Sequence, residues 1–263
     1  MDVLVEWLVE HMVVAVLVLT RLSAMLMAMP AIGVGIPRRV RVMLALTMTG
    51  LLLPTIAERP AMQSLPDFDH LVELAIVVAQ EAMIGMLIGA TVQIVITGIQ
   101  LAGEVITGTG GMQLGESMDE ATQSSMPALA KMVGMLVTAV MLLSGGHRMM
   151  LSLLLESFDK MPPGNVVFHE TMLQAVIDCM SGALASGVRV SAPIVAALLL
   201  SNLVTGLISR TMPQINVLAV GLSVNALALL VVTSLTIGSV AWIFQDDLAA
   251  NVERLSSVWV EGG

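Results

Sequence analysis

Long apolar runs joined by short polar segments set the pattern of this chain. Val3–Met29, Val42–Ala57, Leu71–Leu101, Ala128–Leu143, Met172–Ile208 and Ile215–Phe244 carry few charges. Several approach or exceed the about 20 apolar residues that take an α-helix across a ~30 Å hydrocarbon layer. Strand-type alternation and the aromatic girdles of an outer-membrane barrel are missing, so the pattern predicts an all-α, integral-membrane chain. The joints place its turns. Pro30 and Pro37 bracket the connector PAIGVGIPRRVR. The second helix is expected to stop near Pro54, and ERPAMQSLPDFDH to form a loop. Gly145 and Gly146 supply a C-cap for the fourth run, and MMLSLLLESFDKMPPG reads as a short amphipathic helix stopped by Pro162 and Pro163. Over 245–263, Leu248, Val252, Leu255 and Trp259 share a face opposite acids, which predicts an amphipathic C-terminal tail docking on protein.

The third run holds the densest polar pattern. At 100° per residue, Gln93, Thr97, Gln100 and Glu104 fall within about 60° of one another. Polar side chains are costly in lipid, so such a stripe faces a bundle interior or a pathway. Glu81, Gly85 and Gly89 form an adjacent stripe whose spacing lets a neighbouring backbone approach. Residues 105–127 then read as a Gly-rich acidic loop, VITGTGGMQLGESMDEATQSSMP. No strand precedes its glycines and no Lys-Ser/Thr follows them, so a phosphate-binding loop is excluded.

Composition sharpens the class. Hydrophobic residues make up 57% and charged residues 12%, against about 25% charged in soluble domains, and mean hydropathy is +0.93. Trp7, Trp242 and Trp259 are the only interfacial anchors, and there is no Tyr; contact with protein in place of free lipid explains that shortage. Asp2, Glu6 and Glu10 stand where a signal peptide has its basic region, so the first run is expected to be retained as a helix. Net charge is −9, and Arg38, Arg39 and Arg41 form the one basic loop, which the positive-inside bias puts on the cytoplasmic side. Cys179 is alone, and His11, His70, His147 and His169 lack metal-ligand spacing. No nucleophile–base constellation is visible. Neither catalysis, a cofactor, a metal nor nucleic-acid binding is expected.

Three arginines interrupt the apolar runs: Arg21, Arg189 and Arg210. Arg189 precedes Pro193, and Arg210 precedes Pro213, Gln214 and Asn216. Proline frees a carbonyl one turn earlier, and a guanidinium can satisfy it or pair with Glu81 or Glu104. Arg-x-x-Pro is therefore expected to mark broken, internally hydrogen-bonded helices, with these side chains buried in protein or a wet cavity.

At these residues the chain resembles the FliR family of flagellar type III export-gate proteins, with injectisome counterparts. The resemblance runs through Arg21, Pro30, Pro37, Arg39-Val-Arg41, Pro54, Glu81 with Gly85 and Gly89, and QLAGE at 100–104. It continues through SGGHRMMLSLLLESFDKMP and APIVAALLLSNLVTGLISRTMPQINVLAVGL. It implies one membrane-embedded subunit over 1–263, made of helical hairpins in a hetero-oligomeric pore complex. It further implies FliP-like, FliQ-like and FlhB-like partners, unfolded export substrates in transit, and an inner-membrane place in the flagellar basal body. By position the loop over 105–127 would close the resting pore, with Gly108, Gly110, Gly111, Met112, Gln113, Gly115 and Glu116 as plug candidates. The chain departs from the family where Glu120, not proline, follows Asp119. An injectisome subunit is the nearest alternative. A small-ion secondary transporter also uses broken helices, but the chain has no paired interruptions in two halves.

Overall fold

The computed structural model describes residues 12–29, 37–63, 71–111, 128–164, 170–212, 214 and 217–261. Among the described residues the only regular structure is helical. In chain order it comprises α1 (Met12–Ala28), α2 (Arg38–Ala57), α3 (Pro60–Gln63) and α4 (Leu71–Gly110), then α5 (Ala128–Leu143), α6 (Gly146–Lys160), α7 (Glu170–Thr211) and α8 (Val217–Glu261). Among the described residues four helices are long and apolar enough to cross a membrane, and α5 with α6 makes a fifth if that bent pair is one span. This is an all-α integral membrane protein.

Several boundaries differ from the sequence expectation. Pro54 lies inside α2, which continues to Ala57; Leu53, Ile56 and Ala57 are buried and hold the last turn in place. Helix α4 runs through Gly110, so the first six residues of 105–127 are helical. Buried Ile106 anchors that turn, while Thr107 and Thr109 return their hydroxyls to the carbonyls of Gly103 and Val105. Gly111, with φ of 70°, ends it, a left-handed residue being the usual helix terminator. The segment 58–70 contains the short α3. Pro193 lies inside an unbroken α7: buried Val190, Ile194 and Leu198 keep both sides of the proline on one core. The break at 210–216 is present, because α7 ends at Thr211 and α8 begins at Val217. The tail from 245 is the continuation of α8, not a separate helix.

The chain divides into two compact units. The first takes 1–93, 145–178 and 248–263. Its core is Leu17, Val18, Leu22 and Met25 of α1, Ile84 and Ile88 of α4, Leu153, Leu154 and Phe158 of α6, and Leu248, Leu255 and Trp259 from the end of α8. Gly145, with φ of 79°, makes the turn that starts α6. The second unit takes 94–144 and 179–247. Here Ile106, Ile194 and Leu198 form a core on which Val195, Ala228, Leu229 and Val232 pack, and α7 and α8 run as an antiparallel hairpin.

Candidate functional site: a buried ion pair and a clasped helix end

The first unit is built around a buried charge. Arg21 and Glu81 are both wholly inaccessible. Arg21 Nε donates to Glu81 Oε2 at 2.6 Å, and Nη2 donates to Oε1 at 2.8 Å, a side-on bidentate pair. Nη1 donates to Ser157 Oγ at 2.9 Å, and Nη2 also donates to the Met161 carbonyl at 3.0 Å. The Phe158 ring lies 4.1 Å from the guanidinium carbon. One side chain thus ties α1 to α4 and to the C-terminal end of α6, where a cation also suits the helix dipole. Glycines make the crossing possible. A β-carbon at Gly85 would strike the Arg21 carbonyl, and one at Gly89 would strike Ala28 and the Met25 carbonyl. Arg59 adds a second tether to α6, donating to the Leu155 carbonyl and pairing with Asp159.

The second unit has a polar clasp. Asn225 of α8 donates to the Gly110 carbonyl at 3.2 Å and to Asn202 Oδ1 at 2.8 Å, while Ser201 donates to Asn225 Oδ1 at 2.6 Å. Asn202 donates to the Thr109 carbonyl at 3.2 Å. The last carbonyls of a helix have no partner within it, and here carboxamides from α7 and α8 supply two of them. The clasp borders an open depression of about 520 Å³ lined by Gly108, Thr109, Gly110, Gly111, Gly206 and Gly221, among others.

The candidate residues therefore part company. Gly108 and Gly110 are in the last turn of α4, and Gly111 is its terminator; Met112, Gln113, Gly115 and Glu116 lie outside the described residues. Gln93, Thr97, Gln100 and Glu104 are all half-buried along α4. Gln100 lies over Gly134 of α5, where any β-carbon would meet its amide nitrogen. Arg189, Pro193 and Arg210 are exposed in this chain, not buried, and the partner found for Glu81 is Arg21. Their helix faces point away from the core that holds Val190, Ile194 and Leu198, and Arg210 occupies the last turn of α7, where its charge suits the helix dipole. Gln214 is exposed in the turn, and Pro213 and Asn216 lie outside the described residues.

Other contributors escaped the sequence reading: Ser157, Phe158, Ser201, Asn202, Asn225, and the pair Gly98 and Gly187. The last two let α4 and α7 touch, since a β-carbon at Gly187 would strike the Gly98 carbonyl and one at Gly98 the Ala183 carbonyl. The small-x-x-x-small spacing of Ala183 and Gly187 was the available signal. For Asn202 and Asn225 it was a carboxamide inside a lipid-length run. Among the described residues no cluster of His, Cys, Asp and Glu could hold a metal ion.

The sequence model of the bacterial export proteins, family 1, matches residues 12–250, a span that contains every residue of the ion-pair cluster and of the clasp. The chain belongs to that family. Three relatives of this export family illustrate its range. The flagellar biosynthetic protein FliR of Caulobacter vibrioides is 27% identical over 234 residues, covering 89% of this chain and 92% of its own. FliR of Escherichia coli K12 is 28% identical over 204 residues, covering 77% and 76%. The surface presentation of antigens protein SpaR of Salmonella typhimurium is 28% identical over 149 residues, covering 57% and 56%. As a family 1 export protein with several helices apolar enough to cross a membrane, the chain is a membrane-embedded component of a bacterial protein-export apparatus.

Proposed function

We propose that this protein is a structural, pore-forming subunit of the flagellar type III export gate. In this reading it assembles with FliP-like and FliQ-like subunits and a FlhB-like one, in the inner membrane at the flagellar basal body, to pass unfolded flagellar proteins. It carries out no catalysis. The observation that carries the reading is the α7–α8 hairpin. In the most apolar stretch of α8 only 11% of residues are buried, and Leu203, Leu207, Leu227, Leu230 and Leu235 are exposed. A helix apolar all round is covered by lipid or by other protein, and within a family of export proteins sister subunits are the fitting cover. Arg189 and Arg210, exposed on α7 here, would face those subunits, and the segment beyond Gly111 would close the resting pore.

Affinity purification of the tagged chain from mild-detergent membranes, with mass spectrometry of co-eluting proteins, tests this. FliP-like and FliQ-like subunits in a stable high-mass complex are expected; a folded monomer or homodimer alone would overturn the assignment. The SpaR match favours injectisome use as a second reading, and co-elution of injectisome gate subunits in their place would establish it. Deletion of Gly110–Gly115 tests the plug: the assembled gate is expected to leak small ions at rest, and unchanged permeability would reject that role.

A further inference from the structure

The start of α2 presents charges that the helix itself does not call for. Its first residues are Arg38, Arg39, Val40 and Arg41, and Pro37 stands at the N-cap with no side-chain cap hydrogen bond. Cations at a helix N-terminus oppose the helix dipole. Arg38 and Arg39 are nonetheless exposed, whereas at the other end of α2 Arg59 is tied to α6 through Leu155 and Asp159. Two further features are independent of the helix end. Both exposed groups are guanidiniums, whose planar fork matches a phosphate with paired hydrogen bonds. They also head an outward apolar stripe: Val42, Met43 and Leu46 are exposed by 57%, 66% and 53%. Arg39, Met43, Leu46 and Gly50 follow i, i+4, i+7 and i+11 spacing on one face, and Gly50 opens a gap in the stripe with nothing near its missing side chain. From Arg39 to Gly50 the helix rises about 16 Å, close to one leaflet of a ~30 Å hydrocarbon layer. A fixed anionic head above a leaflet-long apolar strip is the shape of a phospholipid.

We propose that α2 carries a seat for an anionic phospholipid, its headgroup phosphate held by Arg38 and Arg39 and an acyl chain laid along Val42, Met43 and Leu46 toward the gap at Gly50. Zwitterionic lipids are disfavoured, because their ammonium group would lie beside the two arginines.

Native mass spectrometry of the full-length protein, titrated with dioleoyl phosphatidylglycerol or dioleoyl phosphatidylcholine, reads the preference directly. A bias toward phosphatidylglycerol on the order of tenfold is expected. The Arg38→Gln/Arg39→Gln variant should lose it. Arg38→Lys/Arg39→Lys should keep part of it, because charge remains and the fork does not. Arg148→Gln/Arg254→Gln, which removes two exposed arginines elsewhere, should keep all of it. Met43→Ser/Leu46→Ser should weaken dioleoyl but not dihexanoyl phosphatidylglycerol. Matching far-UV circular dichroism keeps misfolding out of the comparison. Equal binding of the two lipids, or a bias that survives the glutamine pair, would overturn the seat. An unchanged bias with loss of a co-purifying subunit would assign the patch to a protein interface instead.

Discussion

At Arg21, four of the five N–H donors find an acceptor and the guanidinium face finds a ring. Such a cluster is costly to desolvate but far more costly to half-dismantle. Glu81→Gln is expected to lower stability by about 3–5 kcal/mol, while Arg21→Met with Glu81→Leu costs clearly less. Thermal melting in detergent measures both, and a glutamine variant as stable as the parent would remove the pair from the list of supports. The two residues stood out in the sequence as charges inside apolar runs, but their pairing did not. Arg21, Arg189 and Arg210 had equal claims on Glu81 by pattern alone. The choice depends on where α1 crosses α4, and that crossing is set by backbone contact at Gly85 and Gly89.

At the end of α4 a helix stops where its last carbonyls are provided for as well as where Gly111 turns the backbone. The end of α4 is held by Asn202 and Asn225, so Asn225→Leu leaves the Gly110 carbonyl, Asn202 and Ser201 without it. A loss of about 1–3 kcal/mol is expected, read as earlier melting and faster amide exchange in the last turn of α4. Pro193 is the converse case. An interior proline costs a helix ~3 kcal/mol, so Pro193→Ala should raise the melting temperature; no change, or a fall, would mean that the proline relieves a strain elsewhere in α7. The joint between α5 and α6 was legible because Gly145 has to adopt a left-handed conformation there. The end of α4 was not, because its glycines read as loop, while threonine back-bonding and a clasp from residues more than 90 positions away keep it helical.

On the scale of the whole chain, membrane class and span positions were legible because hydropathy is a sum over many residues and survives local error. Membership of two units was not, since it depends on contacts between distant segments. The last residues of α8 return to the first unit and bury Leu248, Leu255 and Trp259 there. Truncation after Asp247 is therefore expected to loosen that unit, and limited proteolysis should cut α6 sooner than in the full chain. Equal protection would mean that the tail is dispensable to it.

The ion pair has a consequence in time. Arg21 leaves the ribosome 60 residues ahead of Glu81 and 136 ahead of Ser157. Until those residues are made, α1 carries the ~2.5–3.5 kcal/mol insertion cost of an intramembrane arginine without the groups that later surround it. Chains released before Glu81 is made should integrate poorly, those released after Met161 should integrate well, and Arg21→Leu should erase the difference. The first described helix is, on this account, among the last to be secured.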